Sequence, residues 1–358
     1  MVANGWKEIS LGEVLTLQRG FDLPNKKRQS GNVPVVSSSG ISGKHFEAKV
    51  AGPGVVTGRY GTIGQVFFIK EDFWPLNTTL FVKEFKHNDP LFLSFLLSRI
   101  DFKTYSDKSG VPGVNRNDLH QIIVPLPPLS EQLAIASALS DVDDLITSFD
   151  KLIAKKRDIK QATMQQLLTR KTCLQGFSSK WEMKKLGDVF NVTAGGDFDP
   201  YRSSSIQDEV HCYPIYSNAL SNKGLYGFCS YSDHQAGSIT VTARGTLGVA
   251  NFRNQNFTAI GRVLVLEPSI MADGRFFSEF INNQIDFVVE STGVPQLTAP
   301  QISKYKLPVP PFPEQQAVAA VLSDMDAEIA ALEQKREKTC SLKQGMMQEL
   351  LTGKTRLI

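Results

Sequence analysis

One long stretch of this chain occurs twice, and that repeat restricts the fold more than any single motif does. PLPPLSEQLAIASALSDVDDLI begins at Pro125 and PVPPFPEQQAVAAVLSDMDAEI begins at Pro308, 308 − 125 = 183 residues later; the match runs without a gap to Leu174 and Leu357. Within each copy apolar residues recur at alternating steps of four and three: Ile135, Leu139, Val142, Ile146, Phe149 and Ile153, then Val318, Leu322, Met325, Ile329 and Leu332. That spacing describes a helix with a narrow coiled-coil seam. Pro127 and Pro128 precede the first helix with Ser130 as its expected N-cap, and Pro313 suits the first turn of the second. Roughly 40 helical residues at about 1.5 Å each give a rod of about 60 Å. A single stripe of this kind usually marks ordinary core packing. Two gap-free copies, each following a separate domain, fit a shared stalk better, and the simplest partner for either seam is the other one.

The segments ahead of the helices also repeat, more loosely. WKEISLGEV at Trp6 answers WEMKKLGDV at Trp181, VPVVSSSGIS at Val33 answers YPIYSNALS at Tyr213, VTGRYGTIG at Val56 answers VTARGTLG at Val241, and SGVPGVNRNDL at Ser109 answers TGVPQLTAPQI at Thr292. The offset drifts between these pairs, so loops differ in length while the helices keep theirs. That pattern leaves the loops free to vary in what they contact. VLTLQ, VPVV, QVFFI and TLFVK read as short strands, as do SITVT and RVLVLE; PLFLSFLLSRI and DGRFFSEFINNQI read as short helices. The expected architecture is α+β: two similar strand-rich domains joined by two long coiled-coil helices in a pseudo-two-fold repeat. The expected boundaries are a first domain at 1–126, a central helix at 127–173, a second domain at 174–309 and a C-terminal helix at 310–358.

Charge narrows the function. Residues 1–125 carry 15 Lys plus Arg against 11 Asp plus Glu, and residues 174–307 carry 11 against 12. Such a balance is too weak to hold a polyanion by charge alone, so nucleic-acid binding would need specific contacts or a basic partner. The four cysteines, Cys173, Cys212, Cys229 and Cys340, show no CxxC pairing and read as reduced thiols. His211, Cys212, Cys229 and His234 fit no common zinc spacing. No apolar run is long enough for a membrane span and MVANGWKEIS is not a signal peptide, so a cytoplasmic location is expected.

Fragments that imitate catalytic motifs fail on context. GRYGTIG, Gly58 to Gly64, is followed by the strand-like QVFFI where a dinucleotide site requires a helix. TGKT at Thr352 lacks the earlier glycine of a phosphate loop, and DPYR at Asp199 reads as a polar turn. The five histidines recur at no matching place, and no Ser/His/Asp set stands out. No catalytic residue or metal ligand is assigned.

The polar loops that do recur are the better candidates. Arg59, Tyr60 and Thr62 in the first copy and Arg244 and Thr246 in the second stand beside glycines, where a backbone can approach a ligand closely. Arginine forks guanine or clamps phosphate, and hydroxyls bond either. Ser37, Ser38, Ser39 and Lys44 in the first copy match Ser217, Asn218 and Lys223 in the second; Asn115, Arg116 and Gln296 complete the set of candidate DNA-binding residues. For each residue singly, capping of its own turn is the competing explanation.

The paired WKEISLGEV and WEMKKLGDV openings, the GRYGTIG and ARGTLG turns, and above all the two Pro-Pro-x-x-Glu-Gln helix starts resemble the specificity subunit of type I restriction-modification systems. The resemblance covers essentially the whole chain. It implies that each target-recognition domain reads one half of a split site in double-stranded DNA, with the antiparallel helices as spacer. It implies two modification subunits that methylate adenine N6 with S-adenosylmethionine, and restriction subunits that use ATP and Mg, while the specificity subunit binds no cofactor and performs no reaction. In the second helix Arg336 stands where the first has Ile153, a departure expected to loosen or re-register the seam midway. Two other classes remain: a stand-alone nuclease or methyltransferase, which would need a cofactor loop or acidic cluster in both halves, and a coiled-coil scaffold with two binding modules for something other than nucleic acid.

Overall fold

The computed structural model describes residues 5–106, 113–269, 271–287 and 296–357. Parts of the SGVPGVNRNDL and TGVPQLTAPQI repeat, Ser109–Pro112 and Thr292–Pro295, lie outside the described residues. In chain order the elements are β1 (Lys7–Ser10), α1 (Leu11–Val14), β2 (Thr16–Arg19), β3 (Val33–Ser37), β4 (Gly40–His45), β5 (Gly54–Gly58), β6 (Val66–Ile69), β7 (Trp74–Pro75), β8 (Thr79–Glu84), α2 (Pro90–Ser98), α3 (Arg116–His120), β9 (Ile123–Leu126) and the long α4 (Leu129–Leu168). There follow β10 (Glu182–Lys185), α5 (Leu186–Val189), β11 (Phe190–Ala194), β12 (Ser203–Ser204), β13 (Tyr213–Tyr216), β14 (Leu225–Cys229), β15 (Ile239–Val241), β16 (Ala250–Phe252), β17 (Thr258–Ala259), β18 (Leu264–Pro268), α6 (Gly274–Gln284), α7 (Ala299–Ile302), β19 (Lys306–Val309) and the long α8 (Phe312–Leu350).

The chain forms two compact units, Met1–Lys151 with Glu333–Ile358, and Leu152–Leu332. The first holds a four-stranded antiparallel sheet in the order β2-β8-β5-β6, a three-stranded sheet β4-β3-β7 in which β3 and β7 run parallel, and the pair β1-β9. β5 is buried along its whole length, as its GVVTG sequence requires of a central strand. Ser10 and Glu13 form a capping box on α1, and the Asp89 carboxylate accepts from the Phe92 N–H at 2.7 Å to start α2 behind Pro90. Val14, expected at the start of a strand, closes α1 instead, and the strand begins at Thr16.

The second unit repeats this plan. Its sheets run β11-β18-β15-β16 and β12-β14-β13-β17, with β13 and β17 parallel, and β10 pairs with β19. The Asp273 carboxylate caps α6 through the Arg275 and Phe276 N–H groups.

The helices enter these cores by both ends. In the first unit Ile135 and Leu139, near the start of α4, share a core with Val55, Leu80 and Phe92, and Leu350 and Leu351 from the end of the chain complete it. In the second unit Val318 and Leu322 of α8 pack with Phe276 and Phe277, and Met164, Leu167 and Leu168 of α4 complete that core. Apolar side chains at helix ends that a two-helix seam would leave wet are therefore covered by strand-rich domains.

Where the long helices do meet, they run antiparallel. In the first unit Asp143 pairs with Lys343 at 2.6 Å and Asp150 with Arg336 at 2.7 Å; in the second, Lys156 pairs with Glu328 at 2.6 Å and Lys160 with Asp326 at 2.7 Å. In each set the partner's number falls as the first rises. Arg336, the departure from the seam, reaches Asp150, whose hydrogen bond and charge push the guanidinium pKa up. The substitution thus exchanges an apolar contact for an ion pair at a half-exposed position. α4 begins at Leu129, with the Glu131 and Gln132 N–H groups donating to the Pro128 carbonyl, so Ser130 lies inside the first turn and is not the N-cap expected of it.

The repeated Glu-Gln at each helix start is buried. Gln132 donates to Asn88 Oδ1 and the Pro127 carbonyl and accepts from Asp89 N–H; Gln315 bonds the Pro310 carbonyl and Asp273 N–H in the same way. Each glutamine therefore ties its long helix to the start of α2 or α6. Glu131 accepts from Trp6 Nε1 at 2.9 Å and takes a bidentate contact from Arg356, 2.5 Å from Nε and 2.8 Å from Nη2. In the second unit Glu314 is equally buried, but its Oε2 and Trp181 Nε1 have no partner among the described residues, and Cys173 stands at the repeat position of Arg356.

Candidate nucleic-acid interface

In the first unit the glycine turn after β5 is the meeting point. Arg59 and Tyr60 N–H groups donate to the Thr78 carbonyl at 2.9 and 3.1 Å, and the Arg59 carbonyl accepts from Val114 N–H at 3.1 Å. Tyr60 and Gly113 form an antiparallel bridge. A Cβ on Gly58 would fall 1.7 Å from the Thr62 carbonyl oxygen, and one on Gly113 would fall 2.2 Å from the Tyr60 ring. Both positions thus need glycine for close approach. The Ser38 carbonyl and hydroxyl border the same turn at Gly58 and Gly61. The β3-β4 turn, the glycine turn and the start of α3 therefore converge, with Ser39, Tyr60, Thr62, Asn115 and Arg116 exposed.

The individual side chains divide by role. The Arg59 guanidinium stacks over the Tyr60 ring at 4.4 Å with Nη2 3.4 Å from the phenol oxygen. Ser37 Oγ donates to the Gly40 carbonyl and accepts from Ser39 N–H, so it closes its own turn. Asn115 Oδ1 accepts from Asn117 N–H and caps α3. Lys44 is exposed but pairs with Pro34, four residues along β4 from the turn, roughly 13 Å away at strand spacing. It does not join the cluster.

The second unit brings the equivalent segments together. Arg244 and Gln296 form an antiparallel bridge, Leu297 N–H donates to the Ala243 carbonyl at 3.0 Å, and Arg244 Nη2 donates to Gln296 Oε1 at 3.2 Å. Asn218 Oδ1 accepts from Ala243 N–H at 2.7 Å and its amide donates to the Gly261 carbonyl, so this residue locks two loops rather than projecting from them. Ser217 Oγ lies 3.4 Å from the Gly224 carbonyl, within its own turn. The Thr246 carbonyl accepts from Thr242 Oγ1 at 2.6 Å, leaving its hydroxyl on an exposed turn. Gly61 and Gly245, each just before the threonine, both have positive φ, 79° and 73°, a shared conformation that explains the Gly-Thr in both copies.

Lys223 has φ 52° and an exposed side chain, while its carbonyl accepts from Arg253 Nη2 at 2.7 Å. Arg253 is the supporting residue that the repeat did not reveal. It is 4% exposed, bonds Thr240 Oγ1 through Nε at 2.9 Å and Nη2 at 2.6 Å, and lies 3.4 Å from the centre of the Tyr216 ring. Burial pushes its pKa down to about 10, which leaves it cationic at neutral pH. Its only sequence signal is position: it follows β16 as Lys70 follows β6.

Among the described residues, no group of three or more His, Cys, Asp or Glu side chains is placed to hold a metal ion. His211 bonds Asp208, His234 bonds Glu267 at 2.9 Å, and Cys229 is buried with its thiol 3.0 Å from the Tyr231 carbonyl. No described helix is long and apolar enough to cross a membrane. The arrangement offers guanidinium, amide, phenol and hydroxyl groups on exposed turns, which suits recognition of a polar ligand.

The sequence profile of the type I restriction modification DNA specificity domain matches residues 3–157 and again 178–339. The type I restriction enzyme MjaVIII specificity subunit of Methanocaldococcus jannaschii is 26% identical over 331 residues, covering 82% of this chain and 77% of that protein. A putative type I specificity subunit of Mycoplasma pneumoniae is 26% identical over 326 residues, 89% of each chain. Among solved structures, the S subunit of a type I restriction-modification system from M. genitalium superposes with a TM-score of 0.69 at 17% identity, over 97% of this chain and 96% of that one.

Proposed function

Because the chain belongs to the family of type I restriction modification DNA specificity domains, we propose that it is the DNA-specificity subunit of such a complex, each unit reading one half of a divided site. The observation that carries this is the duplication of the interface itself: in both units the turn after β3 or β13, the glycine turn after β5 or β15, and the segment before α3 or α7 are brought together, with an arginine and an exposed threonine on the glycine turn. Arginine on a rigid turn is suited to a guanine edge or a phosphate, and hydroxyls serve either. The candidates for contact are the exposed Ser39, Tyr60, Thr62, Asn115, Arg116, Lys223, Arg244 and Thr246 with the partly buried Arg59 and Gln296, while Ser37, Ser217 and Asn218 shape the loops that present them.

The chemistry belongs to other chains in this reading. Two modification subunits carry S-adenosylmethionine and methylate adenine N6; restriction subunits carry ATP and Mg; this chain supplies recognition and a platform. A solved structure that shares the fold at a TM-score of 0.55 is titled for complex assembly and conformational transition of the type I system, in line with this division of labour. The test is to express the full chain with its modification partner and map methylated adenines across a genome. A single motif in two parts, relaxed in one half by Arg59→Ala and in the other half by Arg244→Ala, is the expected result. Methylation without a motif, or DNA modification by this chain alone, overturns the reading.

A further inference from the structure

The second unit presents a hydrogen-bonding edge whose polarity can be read. Arg244 has no acceptor atom, so the Gln296 amide must turn its oxygen toward Nη2, and the 3.2 Å contact settles the flip of that amide. Both backbones are held: the two residues form a bridge, Leu297 is bonded to Ala243, and Asn218 holds Ala243 from the other side. With the glutamine oxygen engaged, the pair offers the amide N–H groups and the remaining guanidinium N–H groups, against one spare lone pair on Oε1. Glutamine acting alone matches adenine, because its amide offers a donor and an acceptor together. A glutamine tied to arginine loses that match. In the major groove only guanine shows two adjacent acceptors, O6 and N7; adenine and cytosine each put an amino donor there, and thymine sets a methyl beside its one acceptor.

We infer that Arg244 and Gln296 together read a guanine in the half-site contacted by the second unit. The inference rests on the proposed reading of DNA through these turns. The first unit has no such pair: Gly113 sits opposite Tyr60 with no side chain, and Arg59 is stacked on that tyrosine. The two units therefore differ in what they select although their backbones agree.

The experiment uses the full chain with its modification partner, mapping methylated sites for the unaltered protein and for Arg244→Ala, Gln296→Glu and Arg59→Ala. Gln296→Glu keeps the shape and the arginine contact but replaces the amide donor with an acceptor. The half-site of the second unit should contain a guanine. Modification of sites with another base there, relative to guanine sites, should rise about ten-fold or more in Arg244→Ala, in line with the loss of a bidentate base contact. Gln296→Glu should move preference away from guanine toward cytosine, whose amino group donates, with the other half-site unchanged. If a divided motif is found but no guanine in it responds to Arg244→Ala or Gln296→Glu, the inference is wrong while the general function stands. If the unaltered complex shows no motif, the function itself fails.

Discussion

Removing the Arg356 side chain tests how the end of the chain is joined to the first unit. Glu131 is 1% exposed, and its carboxylate accepts from the Arg356 guanidinium and from Trp6 Nε1. Deleting one partner of a buried ion pair costs about 3–5 kcal/mol, since the remaining charge is left without compensation. The Arg356 side chain is 32% exposed, so water reaches part of the vacated space and a loss of about 2–4 kcal/mol is expected. For a body of this size roughly 2–4 °C accompanies each kcal/mol, which places the fall in Tm at about 5–15 °C. Scanning calorimetry on the full chain measures it. Glu131→Gln combined with Arg356→Ala should recover part of the loss by removing the stranded carboxylate. The converse change, Cys173→Arg, offers a guanidinium to Glu314 Oε2 and should stabilise the second unit by about 1.5–3 kcal/mol, the range of a hydrogen bond to a charged group. A shift below about 1 °C for Arg356→Ala, on the same scale, would refute the argument.

Other outcomes follow from the same structure. Gly58→Ala drives a methyl group into the Thr62 carbonyl and should abolish reading by the first half while the second half-site is still recognised, as shown by methylation mapping. Arg253→Lys keeps the charge but loses the fork to Thr240 and Lys223 and the stack on Tyr216, so the 217–224 loop should gain hydrogen exchange and the second half-site should weaken. His120 Nε2 accepts from Leu17 N–H at 2.9 Å and so must be neutral; burial, then Arg116 and Lys86, hold its pKa below the ordinary 6.5. As pH falls below 6.5 the unfolded chain binds the proton first, so stability is full above that value and declines toward acid, an effect that His120→Gln should remove from the pH profile of Tm.

Much of the architecture was legible before any coordinates, for definable reasons. The strands at VPVV, QVFFI and TLFVK and the helices at PLFLSFLLSRI and DGRFFSEFINNQI emerge where expected, because alternation and helical spacing are local properties of the backbone. The glycine turn was legible because Gly58 and Gly61 meet steric conditions that few other residues tolerate. The roles of single polar residues were not. Ser37 and Asn218 look alike in sequence to contact residues, yet each spends its hydrogen bonds on neighbouring loops. Lys44 shares its pattern with Lys223 but sits at the far end of a strand. Arg253 was invisible as a support because its partners Thr240, Lys223 and Tyr216 come from three separate segments.

Taken alone, the order of residues determined that the chain is built twice and that each copy ends in a long helix with one apolar stripe. These follow from periodicity and residue chemistry, which act over a few turns of chain. Tertiary structure decided which core each helix end enters: Leu350 and Leu351 close the first unit, and Leu167 and Leu168 the second. It also decided that Glu131 has an arginine while Glu314 Oε2 has no partner among the described residues. Burial and charge pairing depend on residues far apart in the chain, so only the packed molecule could settle them.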